Sequence, residues 1–97
     1  MEGIRMYKEM DITIAELEAA LFRLGFVKKI KGDVVSYSHE SGSKILLPVV
    51  YKPTRVLNKG WFIGNADNMA GMGVFEHRDD LAKLVEKMRL EATSAAV

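Results

Sequence analysis

Two side chains of this sequence can take up and release a proton near neutral pH, His39 and His77. There is no cysteine, which excludes disulfides, thiolate metal ligands and a thiol nucleophile. His39 ends the stretch VVSYSH, and strand alternation puts it on one face with Val35 and Tyr37. On a basic strand it could act as a general acid/base toward a ribose 2′-hydroxyl, or contact a phosphate. The plainer account is a half-exposed histidine at a strand end beside a loop. A two-step acid/base mechanism is best served by a pair of proton carriers, and His39 has no second one beside it. His77, in EHRDD, reads as surface near a helix N-terminus, where Glu76 or Asp79 would pair with it. Neither histidine stands at ligand spacing from other donors, so the sequence carries no metal pattern and implies no cofactor.

The second chemistry-bearing set is cationic. Residues 26–64 hold seven Lys/Arg (Lys28, Lys29, Lys31, Lys44, Lys52, Arg55, Lys59) against two acids (Asp33, Glu40), although the whole chain has a net charge of only +1. Such a segment favours a phosphate backbone or an acidic protein, or else consists of solvated lysines that guard a sheet edge. The candidate RNA contacts are Lys28, Lys29, Lys31 and Lys44 with Tyr37 on the same hairpin, then Arg55 and Lys59 beside Trp61, whose ring could stack on a base. Gly71-Met72-Gly73 is not followed by the Lys-Ser/Thr of a phosphate loop and reads as a helix terminator.

These residues need positioning. Thr13 and Glu16 stand in capping-box order, and Ile14, Leu17, Leu21 and Leu24 form one apolar stripe that closes at Gly25, so a helix is expected there. From Val27 to His39 the pattern is β-branched and aromatic, broken at Lys31-Gly32-Asp33, and a near-continuous apolar run follows from Lys44 to Tyr51. Glu40-Ser41-Gly42-Ser43 is the expected hairpin loop between them. Pro48 donates no ladder bond, which predicts an edge strand or a change of pairing there. Residues 55–63 fit either a hairpin through Asn-Lys-Gly or a loop leading into a helix. In the latter, Phe62, Ala66, Met69 and Ala70 share a face that closes at Gly71 or Gly73. Leu81, Leu84, Val85 and Met88 predict a last helix, and the tail beyond Leu90 is expected to fray.

Taken together, ELEAALFRLGFVKKIKGDVVSY, ESGSKILLPVV and MAGMGV resemble HicA-type toxins, small messenger-RNA-cleaving proteins with a double-stranded-RNA-binding-domain-like fold. The first piece is similar to that family's opening helix ending in Gly-Phe, followed by a strand with a Gly and, five residues on, an aromatic. The second is similar to its hairpin strand ending in Leu-Pro or Val-Pro. The resemblance covers about residues 12–74. The family's active histidine lies two residues after the strand Gly, where this chain reads Gly32-Asp33-Val34. The resemblance therefore implies that Val34 replaces the catalytic histidine, at a cost of roughly 10²- to 10⁴-fold in rate. It also implies an antitoxin-type protein partner.

The expected fold is α+β: a small antiparallel sheet of about three strands packed by an N-terminal helix and one or two C-terminal helices. One domain over residues 1–97 is expected, with its core over about 12–90. The N-terminus MEGIRMYKEMD is too charged for a signal peptide, and no apolar run approaches the roughly 20 residues of a membrane span, so a cytoplasmic location without membrane contact is expected. RNA binding without cleavage is the first expectation. A homo-oligomeric interaction module, pairing through Ile45 to Tyr51, is the second, and an mRNA endoribonuclease using His39 is the third.

Overall fold

The computed structural model describes residues 10–95. Helix α1 (Ile14–Arg23) begins where the capping box places it. Thr13 Oγ1 accepts from the Glu16 amide at 3.2 Å, and the Glu16 carboxylate accepts from the Thr13 amide at 3.0 Å. Ile14, Leu17, Ala20 and Leu21 are its buried stripe. At its end Gly25 takes a φ of 97°, which lets the Gly25 amide donate to Phe22 and the Phe26 amide to Leu21. This pair of bonds closes the helix and turns Phe26, only 4% exposed, into the core.

Three strands follow: β1 (Val27–Lys31), β2 (Val34–Ser38) and β3 (Lys44–Pro48), antiparallel in the order β1-β2-β3. A two-residue turn at Gly32-Asp33 joins the first pair, and the loop of residues 39–43 joins the second. The register sets Val35 between Ile30 and Leu47, and Tyr37 between Lys28 and Ile45. Pro48 closes the edge strand, as its chemistry requires. The amide of Val49 donates to Asp33 and that of His39 to Ser43, which fixes the parity of the ladder. By alternation Leu47 and Ile45 bond to β2, while the backbone of Lys44, Leu46 and Pro48 points to the open edge. A proline there removes no ladder bond. The apolar run expected to continue to Tyr51 therefore stops as a strand at Pro48, and residues 49–51 turn away.

Residues 55–57 are extended and lie against 12–14: the Leu57 amide donates to Ile12 at 2.8 Å and the Ile14 amide to Arg55 at 3.0 Å. Of the two readings of residues 55–63, the loop leading into a helix is the one adopted. Asn58 caps α2 (Lys59–Gly71) by accepting from the Trp61 amide at 2.9 Å, and Phe62, Ala66 and Met69 face inward. Gly73, at φ 87°, ends α2 by the same geometry as Gly25. The last helix, α3 (Asp79–Ala95), extends past Leu90, and residues 96 and 97 of the tail lie outside the described residues. Arg23 of α1 binds Glu91 at 2.8 Å, and Arg89 forks onto Glu16, so two ion pairs hold its last turns to the first helix.

The three described helices pack on one side of the sheet, around Leu17, Leu21, Tyr37, Ile45, Met69, Leu81 and Val85. Each large apolar side chain buried there contributes roughly 1.5–3 kcal/mol. Among the described residues nothing covers the opposite face of the sheet.

Candidate nucleic-acid interface

Strand alternation sorts the lysines. On the outer face three cross-strand rows run Val27, Ser38, Lys44; then Lys29, Ser36, Leu46; then Lys31, Val34, Pro48. This face presents three cations and no acid; Asp33 and Glu40 stand in the turns at its two ends. Lys29, Lys31 and Lys44 carry no ion pair among the described residues. Val27, Val34 and Leu46, at 60%, 41% and 53% exposed, share this face with the lysines. The surface is suited to a ligand that brings phosphate charges together with apolar or flat groups.

Lys28 does not belong to this set. It projects on the helix side of β1, where its Nζ lies 2.7 Å from Glu18 Oε2. The same oxygen accepts from the Tyr37 hydroxyl at 2.7 Å. Burial raises the Glu18 carboxyl, but the hydrogen bonds and charge of Lys28, with the Tyr37 hydroxyl, outweigh it and hold the group below its ordinary value. Burial and the Glu18 carboxylate push the Tyr37 phenol upward. Tyr37 is 2% exposed, so the expected contact of its ring with RNA is corrected to a place in the core. Lys28 and Tyr37 together position α1 over the sheet.

His39 is likewise held by the fold. The Ser41 backbone amide donates to Nδ1 at 3.0 Å, which requires a lone pair there. The Leu24 carbonyl, 3.1 Å from Nε2, can only accept, so the proton is on Nε2. The ring also stacks against Phe26 with centroids 4.8 Å apart. Both nitrogens are committed: one serves the end of α1 and the other the β2–β3 loop. No carboxylate or second histidine faces the ring among the contacts described. His77 is exposed beside the first turn of α3, where its Nδ1 accepts from the Asp79 amide at 3.1 Å and lies 3.6 Å from the Asp79 carboxylate.

The remaining candidates lie elsewhere. The Arg55 guanidinium stacks over Tyr51, 3.8 Å from the ring centroid, and Trp61 is partly buried. They line a groove of about 590 Å³ with Leu46, Pro48 and Val56, next to the β3 edge. Lys59 pairs with Asp11 at 3.0 Å. The eight expected RNA contacts therefore fall into an outer-face triad, a pair on the helix side of the sheet, a groove pair and a surface ion pair. Val27, Ser36, Ser38 and Leu46 complete the outer face, and strand parity was the signal that would have found them. Among the described residues no cluster of His, Asp or Glu could hold a metal ion, and no helix is long and apolar enough to cross a membrane. Comparison with protein-family models, curated proteins and solved structures found no match.

Proposed function

We propose that this chain is a HicA-like RNA-binding protein, with a double-stranded-RNA-binding-domain-like arrangement, that has kept a cationic sheet face and lost the histidine of hydrolysis. The observation that carries the reading is the convergence of Lys29, Lys31 and Lys44 on the face of the sheet that no helix among the described residues covers. The order of elements from α1 through β3 to α2 supports it. Val34, which takes the place of the family's histidine in the resemblance, stands on that same face opposite Lys31. A valine neither accepts the 2′-hydroxyl proton nor protonates a leaving oxygen. His39 is a poor substitute because both ring nitrogens are bonded within the fold.

RNA binding would come from phosphate neutralisation. Three phosphate contacts give a slope of roughly −2 to −3 in log K against log salt. The reading implies a cytoplasmic protein that also meets an antitoxin-type partner. Its test is a titration of labelled structured RNA at two salt concentrations, followed by a gel of the same RNA. Salt-sensitive binding with intact RNA is expected; binding that ignores both salt and reversal of Lys29 and Lys44 to Glu would end it.

The second reading, a homo-oligomeric module without a nucleic-acid role, draws on the open β3 edge and the exposed Val27, Val34 and Leu46. Light scattering behind size exclusion separates the two: a stable dimer with no RNA affinity favours the module.

A further inference from the structure

The edge of β3 is more than an exposed strand. Its outward backbone groups, the N–H and C=O of Lys44 and Leu46, make no hydrogen bond among the described residues, whereas the Pro48 carbonyl already accepts from Tyr51. An unpaired edge is ordinarily blunted by its own charges, bulges or a covering segment. Here Pro48 blunts only the end of the strand, and the rest borders the groove walled by Tyr51, Arg55, Val56 and Trp61. Backbone groups for a ladder and an apolar trough for side chains thus lie side by side.

The segment that walls this groove carries charge of one sign. From Ser41 to Ala66 the chain contains Lys44, Lys52, Arg55 and Lys59 and not a single Asp or Glu. Arg55 is fixed at the wall by its stack on Tyr51 and by backbone bonds to Ile14 and Lys52. Lys59 is answered by Asp11 at 3.0 Å, but a second copy of this chain, offering the same edge, would still set Lys44 and Arg55 against their counterparts. An acidic strand meets no such repulsion.

We propose that the β3 edge and its groove take an extended segment of a partner protein in which carboxylates alternate with apolar side chains. The segment adds as a fourth strand to Lys44 and Leu46, lays its apolar residues against Val56 and Trp61, and sets carboxylates toward Arg55 and Lys44. The site adjoins the phosphate-binding face proposed above and shares Lys44 and Leu46 with it, but it does not rest on that reading.

Trp61 is the only tryptophan, so its emission reports on the groove directly. The test titrates the whole protein with a short end-blocked peptide alternating Glu and Val, reading Trp61 emission and the amide resonances and hydrogen exchange of Lys44 and Leu46. A saturable emission change with protection of both amides is expected. Arg55→Glu should weaken the peptide by about tenfold or more, as should exchanging its Glu for Lys. N-methylation of the peptide amides that face β3 should abolish the protection. Leu46→Pro, checked for its fold by circular dichroism, removes the outward donor and should act like N-methylation; Arg55→Glu serves if that variant unfolds. No response to the peptide overturns the proposal, as does equal binding of the Lys version. Displacement of the peptide by a single-stranded RNA that moves the same amides would assign the groove to nucleic acid instead. Shifts of Lys44 and Leu46 that depend on protein concentration without peptide would assign it to a second copy.

Discussion

The imidazole of His39 and the carbonyl of Leu24 are joined at 3.1 Å, a bond that spans from the end of β2 to the end of α1. A side chain of catalytic type is here a helix cap. The last carbonyls of a helix have no partner within it, and His39 supplies one while its other nitrogen orders the loop at Ser41. Its ring completes the work by covering Phe26. His39→Ala is therefore expected to lower stability by about 1–3 kcal/mol, measured as a shift of the urea midpoint. RNA affinity at a temperature where the variant is folded should stay unchanged. A variant as stable as the parent would contradict the capping role.

Lys28 and Lys29 are adjacent in sequence and opposite in space, and they predict a contrast. Lys29→Ala removes a cation from the uncovered face and should weaken RNA binding and flatten its salt dependence by about one unit of slope. Lys28→Ala should leave both nearly as they are and instead loosen the Glu18 link, with a stability loss of about 0.2–1 kcal/mol. Anisotropy titrations and urea melts of the two variants check the pair. Equal losses of affinity would mean that the two lysines share a surface after all.

Acid should act through Glu16. The Arg89 hydrogen bond is the main reason its carboxyl lies below the ordinary value; burial opposes this, and Thr13 and the Arg89 charge assist. The folded protein thus binds this proton less readily than the unfolded chain. The contribution is complete above the unfolded value near ~4.3 and fades as pH falls through the folded one. Glu18 adds in the same sense. Glu16→Gln should destabilise at neutral pH, and the gap to the parent should shrink at about pH 3. Urea melts at both pH values test it; a gap that widens in acid would reverse the sign.

The elements that follow local rules were legible. Thr13 with Glu16, the glycine after Leu24 and the break at Gly32-Asp33 each act within a few residues and mark the boundaries expected of them, and the proline at position 48 marks the edge strand. The start of α2 was not legible, because Asn58 caps a helix or turns a hairpin equally well until residues 55–57 are seen to pair with 12–14. The run of α3 past Leu90 was not legible, because the ion pairs of Arg23 with Glu91 and of Arg89 with Glu16 join residues remote in the chain. The site was half legible: charge density pointed to the hairpin, while parity alone could have separated Lys28 and Tyr37 from Lys29, Lys31 and Lys44. Nothing local could show that His39 reaches back to Leu24.

The central claim is that the uncovered sheet face binds RNA and leaves it intact. Its most direct test is anisotropy of a labelled structured RNA with the parent protein and with Lys29→Glu/Lys44→Glu, at about 50 mM and about 200 mM salt, with the RNA recovered and sized afterwards. The prediction is tight binding by the parent at low salt, a steep fall at high salt, near-complete loss in the double variant, and full-length RNA throughout. Equal affinity of parent and variant, or cleaved RNA in the parent lane, would contradict it.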